Sequence, residues 1–183
     1  MINLLTKKGA PLLARKHFEN GMPGPITRSL AHVPEMLNVT LPFIGTVLGT
    51  SGIDIRVKEI VILRTSYLFR CNYCVNTHTF VASRAGLSNE EIFALRGQIP
   101  IPEAFTEKHD VLLIQWTDAM ADSSKALSTK LKNDIKQYFS EGDIVELTLL
   151  ASTTIMLNRY ATIMELPVSE KHLSYLQEKG LTF

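Results

Sequence analysis

The sequence predicts an all-α fold, on three observations. Apolar residues recur at helical spacing through most of the chain, Ser and Pro residues stand where helices begin, and no alternating stretch is followed by a hairpin turn pair. The only strand-like run, residues 60–63 (IVIL), has flanks with helical spacing and no turn pair after it.

In chain order, residues 1–25 hold Gly21, Pro23, Gly24 and Pro25, which predicts an arm or loop. Helix begins near Ile26. Pro34 suits a first helical position, and Pro42 should end or kink the helix begun there. Over residues 54–69, Val57, Ile60, Val61, Leu63, Tyr67 and Leu68 cover most of a helix surface, so this helix should be buried. Residues 70–72 should break it. A second helix over residues 74–85 should stop at Gly86. Ser88 with Glu91 forms a capping box for the next, short helix. Pro100 and Pro102 separate that helix from one over residues 106–121. Ser128 and Ser140 are N-caps for two more, and residues 169–179 form a last helix before Gly180. The reading is a single domain over residues 1–183, with its chemistry in a core at 54–90.

A faint internal repeat runs through this pattern. Glu59-Ile-Val-Ile-Leu aligns with Glu146-Leu-Thr-Leu-Leu, and at the same offset Tyr73 meets Tyr160, Cys71 meets Asn158 and Cys74 meets Ala161. Only the first copy carries cysteine.

Composition narrows the function classes. The chain has 183 residues, 45% apolar and 20% charged, with net charge +1. That balance gives no general pull toward nucleic acid or anionic membrane. No apolar stretch approaches the ~20 residues of a membrane span. Lys7, Lys8 and Pro11 interrupt the start before a signal-peptide core can form. The expected compartment is the cytoplasm, where thiols are kept reduced, so a pair of cysteines three residues apart points to redox work or metal binding rather than a structural staple.

Cys71, Cys74 and His78 are spaced i, i+3, i+7 and share one helix face. A thiolate is the reactive form of cysteine. A helix N-terminus favours it, a neighbouring His can take the thiol proton, and a carboxylate can orient that His. Glu59, a lone charge in an apolar stretch, is the candidate carboxylate, provided the chain turns back near Asn72. The same residues could ligate zinc, although no second Cys pair exists. His109 falls on an apolar face with Phe105, Leu112, Leu113 and Trp116, as pocket wall, auxiliary proton carrier, or core or interface histidine. His32 suits a contact between helices. Arg64 should pair with an acid, with a subunit boundary as one place for it.

At these residues the sequence resembles the alkyl hydroperoxidase D-like branch of the carboxymuconolactone decarboxylase family. That family's motif, E-x11-C-x2-C-x3-H, stands here as Glu59, Cys71, Cys74 and His78. The surrounding KEIVILRTSYLFRCNYCVNTHTFVASRAGLSNEEI and the later VELTLLASTTIMLNRYATIMELPV extend the resemblance over roughly residues 26–168. The resemblance implies an all-α fold with an internal duplication, assembled as homotrimers or homohexamers. It implies a peroxide substrate attacked by Cys74, a sulfenic acid resolved by Cys71, and a proton relay through His78 and Glu59. It further implies a dithiol reductant, in some members carried on a lipoyl protein, and no cofactor. Tyr73 stands where the best-known peroxidase branch has a His, and it is a poor base near neutral pH. Besides a peroxidase or disulfide reductase, a zinc-stabilised module and a redox-sensing helical oligomer without turnover remain open.

Overall fold

The computed structural model describes residues 1–49, 51–122, 124 and 127–182. Among them there are helices and no strand. A 3₁₀ helix (Leu12–Phe18) precedes α1 (Pro25–Leu30), α2 (Pro34–Leu48), α3 (Ile55–Leu68), α4 (Asn72–Arg84), α5 (Asn89–Leu95), α6 (Ile101–Ala104), α7 (Lys108–Ala121), α8 (Thr129–Ile135), α9 (Glu141–Ile163) and α10 (Glu170–Glu178).

α3 is the axle of the fold. It starts at the Asp54 N-cap, which accepts from the Arg56 amide, and packs against α4, α5, α7 and α9. Ile60, Val61, Ile62 and Leu63, four consecutive residues, are all buried. Consecutive burial covers every side of a helix, so α3 is enclosed rather than amphipathic. Around it gather Val75 of α4, Ile92 and Leu95 of α5, Leu113 of α7 and Leu150 of α9.

The break between α3 and α4 has a physical origin. Arg70 takes a left-handed backbone (φ 53°), and the Cys71 amide reaches back to Ser66 O at 3.1 Å. That closes a Schellman-type turn on a residue other than glycine. Cys71 is then extended and serves as the N-cap of α4, which begins two residues earlier than expected and returns antiparallel along α3. Gly86, at φ 94°, ends α4 as expected. The capping box at Ser88 and Glu91 and the N-caps at Ser128, Ser140 and Ser169 are all formed.

Two expectations are narrowed by the structure. Pro42 does not end α2; the helix runs on to Leu48. Pro42 is exposed, so the carbonyl it leaves unpaired a turn earlier can take water. Arg64 pairs within the chain, donating to both carboxylate oxygens of Asp118 on α7 at 2.6 and 2.9 Å. The N-terminal arm is a loop carrying the 3₁₀ helix, and it is pinned down. Arg28 holds the Leu4 and Leu5 carbonyls, and His32 contacts the Asn3 carbonyl at 2.8 Å.

Buried ions lock the elements that build the site. The Lys58 side chain has no exposed surface. Its ammonium caps α2 through the Val47 and Gly49 carbonyls (3.2 and 2.6 Å) and pairs with Glu146 of α9 at 2.7 Å. Arg56 joins Asp110 of α7 at 2.8 Å and Glu91 of α5, and Asp110 above all holds its guanidinium above the ordinary value. Arg96 holds the Leu181 and Thr182 carbonyls, which anchors the chain after α10; burial pulls its guanidinium down to about 10.

Removing the Glu146 carboxylate leaves Lys58 buried with carbonyl partners alone. Glu146→Gln is expected to lower unfolding stability by about 1–3 kcal/mol at pH 7. Hydrogen bonds from Lys58, and then Ser51, hold the Glu146 carboxyl below its ordinary 4.5. A depressed folded-state value means that its contribution is present above pH 4.5 and is lost as the pH falls through that lower value. Urea unfolding at neutral and acid pH should therefore show wild type and variant converging in acid.

Candidate active site

The antiparallel return of α4 brings Glu59 and His78 together across the α3–α4 hairpin. His78 Nδ1 lies 3.0 Å from Glu59 Oε2 and 3.2 Å from Oε1. Glu59 is 2% exposed although it sits among apolar neighbours, and the imidazole is its charge-compatible partner. An Nδ1–H donated to the carboxylate leaves Nε2 as the free, proton-accepting nitrogen of the ring.

Cys71 and Cys74 are joined as a disulfide, with Cα atoms 5.3 Å apart. Their positions differ. Cys71 is fully buried at the N-cap of the 13-residue α4, where its sulfur accepts the Cys74 amide at 3.2 Å. Cys74, one turn inside the helix, lines a cavity of about 120 Å³ together with His78. Both sulfurs sit at the positive end of α4, which favours a thiolate when the bond is reduced. Cys71, Cys74, Ala161 and Leu166 form a small apolar cluster, covered by Leu4 of the arm and by Tyr73 and Tyr160.

The cavity wall is mostly apolar, with Ile26, Ile44, Leu48, Ile62 and Leu157, from α1, α2, α3 and α9. Its polar members besides Cys74 and His78 are Ser66, Tyr73, Thr77, Thr154 and Asn158. Burial pushes the Tyr73 phenol above its ordinary value, with the neighbouring Thr77 hydroxyl opposing, so at neutral pH Tyr73 is a hydrogen-bond donor rather than a base.

The four motif residues are thus brought to one place, and Tyr73 beside them. His109 is not: it lies on the first turn of α7, with its side chain 42% exposed, against Asp110 at 3.2 Å and near Tyr138. Among the described residues no three of His, Cys, Asp and Glu converge in a metal-holding group. Nor is any helix among them long and apolar enough to cross a membrane.

Sequence reasoning missed Ser66 and Asn158, which join α3 to α9 through a hydrogen bond of 3.1 Å. It also missed His172 of α10, stacked on Phe80 with ring centroids 4.4 Å apart. Burial, then the charges of Lys171 and His78, pull the His172 imidazole below its ordinary value. Asn158 carried one signal, its alignment with Cys71 in the internal repeat.

Residues 34–115, which contain all four motif residues, match the carboxymuconolactone decarboxylase family. No curated protein matches the chain. Solved structures do. An alkylhydroperoxidase AhpD core protein from Ralstonia eutropha JMP134, peroxidase-related and uncharacterised, superposes with a TM-score of 0.80 at 13% identity, over 93% of each chain. A peroxidase-related protein from Silicibacter sp. TM1040 gives 0.79 at 18% identity, over 93% of this chain and 92% of that one. The debrominase Bmp8, as its C82A variant in complex with 2,3,4-tribromopyrrole, gives 0.76 at 15% identity, over 97% and 96%. At these identities the likeness is one of fold. With the motif placed in that fold, residues 34–115 carry the match to the carboxymuconolactone decarboxylase family, and the chain shares its fold with the AhpD core protein.

Proposed function

We propose that the protein is a thiol-dependent peroxidase that reduces small hydroperoxides through Cys74 and Cys71. The observation that carries this reading is the asymmetry of the pair. Cys74 shares a cavity with His78, whose far nitrogen is held by buried Glu59, while Cys71 is sealed behind it at the helix cap.

In the reduced protein, His78 Nε2 takes the Cys74 proton directly or through one water, and Glu59 steadies the resulting imidazolium. The thiolate attacks the terminal oxygen of the peroxide and becomes a sulfenic acid. Cys71 then displaces water from it and forms the disulfide. A dithiol reductant, presented on a lipoyl protein as in some members of the resembling branch, returns both sulfurs to thiols. This cycle suits a reducing cytoplasm. Tyr73 supplies a hydrogen bond rather than a base. His109 has no part in the cycle.

Self-assembly into a homotrimer or homohexamer belongs to the same reading. Val33, Met36, Val39 and Phe43, at and along α2, are 41–65% exposed, and Val145, Leu149, Met156 and Ile163 on neighbouring α9 are 45–67% exposed. Two packed helices presenting large apolar side chains to water support burial against other copies.

Three measurements test the proposal. In sulfenic-acid trapping after one equivalent of peroxide, Cys74→Ser should not react, and Cys71→Ser should react once and hold the sulfenic acid. If the two variants exchange behaviour, the assignment is reversed. Two free thiols left after peroxide, or stoichiometric zinc in the purified protein, would favour the zinc-stabilised module. Oxidation without multiple turnovers on a dithiol would favour the redox sensor.

His78→Ala and Glu59→Gln should each slow peroxide reaction at neutral pH by tenfold or more, on the scale of about 10²–10⁴ for positioned acid–base groups. His78→Ala should recover partly in alkali, and the double variant should be little slower than His78→Ala alone, since Glu59 acts through that ring. Sedimentation should give a trimeric or hexameric mass, lowered by Val39→Lys combined with Met156→Lys.

A further inference from the structure

Helix α9 brings a polar group to the cavity that the thiol chemistry leaves unused. Asn158 is 1% exposed and lines the cavity with Cys74 and His78. Its Oδ1 accepts from Ser66 Oγ at 3.1 Å, which fixes the amide with Nδ2 at the free end. That Nδ2 is buried and has no hydrogen-bond partner. A buried donor left unmatched is a standing cost to a fold, and a leucine of nearly the same size would fill the position without it. The other hydroxyls from α3 and α9 on this wall are committed: Ser66 donates to Asn158, and Thr154 donates to the Leu150 carbonyl at 2.8 Å. Asn158 therefore offers a fixed, desolvated donor with nothing among the described residues to receive it.

We infer that Asn158 is a substrate-binding residue whose Nδ2 donates to the departing oxygen of a hydroperoxide cleaved at Cys74. The inference rests on the peroxidase reading above and adds the group that recognises the substrate. In the step, the Cys74 thiolate forms an S–O bond to the terminal oxygen and the O–O bond breaks. The electron pair leaves on the second oxygen as hydroxide or alkoxide, which takes the proton held by His78. Sulfur loses two electrons and the peroxide gains them. Negative charge grows on the leaving oxygen, and a donor already oriented and out of water stabilises it without reorganisation. His78 serves the sulfur and then the product proton, whereas Asn158 serves the oxygen alone.

The test compares two reagents on the reduced protein. Hydrogen peroxide and tert-butyl hydroperoxide have a departing oxygen; iodoacetamide reads the Cys74 thiolate and has none. Stopped-flow rates are measured for wild type, Asn158→Leu and Ser66→Ala. Asn158→Leu should lose about tenfold to a hundredfold with the peroxides, and less than about threefold with iodoacetamide. Ser66→Ala keeps the amide but removes its clamp, and should show a smaller, equally selective loss. If Asn158→Leu does not fold, as judged by circular dichroism, Ser66→Ala decides by the same criterion. Equal loss with both reagents, or no loss, overturns the inference and leaves the peroxidase reading standing. Wild type that is labelled by iodoacetamide but inert to both peroxides overturns both.

Discussion

A carboxylate buried in an apolar helix is the constraint on which the site depends. Glu59 sits on α3 beside Ile60, Val61, Ile62 and Leu63, where an unpaired charge would be prohibitive. His78 meets it only because the chain reverses at Arg70 and Cys71 and runs α4 back along α3. The same reversal makes Cys71 an N-cap and sets Cys74 one turn inside the helix. One backbone turn thus settles the partner of the carboxylate, the depth of each sulfur and the tautomer of the histidine. The Glu59–His78 contact is also a tertiary clasp between two helices, so loss of either residue touches packing as well as chemistry.

The fold was legible where local chemistry decides structure. Serine and aspartate caps, the capping box and Gly86 mark real helix ends because they satisfy orphan backbone groups within a few residues. The enclosed character of α3 was legible because its apolar residues leave no polar face. Pro42 does not end α2, because on the exposed side of the helix water can meet the freed carbonyl. The arm over residues 1–25 carries breakers that correctly signal a loop, but not the Arg28 and His32 contacts that hold it down.

The motif side chains were legible through spacing and resemblance. The rest of the site was not, because it is assembled from helices distant in sequence. Ile44 of α2 and Leu157 of α9 face the cavity only after packing, and nothing local distinguishes them from other core residues. Lys58 and Glu146 likewise become partners only where α2, α3 and α9 meet. His109 is the opposite case. Its helical register with Leu112, Leu113 and Trp116 suggested a core or pocket position, but at the first turn of α7 it reaches the surface beside Tyr138.

The internal repeat acquires a chemical meaning from the fold. The segment that aligns with α3 and the start of α4 lies in the single 23-residue α9, which has no break. Without a turn at the position of Cys71, there is no helix N-terminus there to activate a sulfur. The aligned residue is Asn158, mid-helix and facing the same cavity. A mid-helix site can hold a neutral amide in a fixed orientation, here through Ser66 of the first copy. It lacks the local positive field that a thiolate needs. The kinked copy is therefore suited to ionising a nucleophile and the straight copy to presenting a donor, and the cavity lies where the two copies face each other. The chemical difference between the two aligned segments thus comes from where each helix ends.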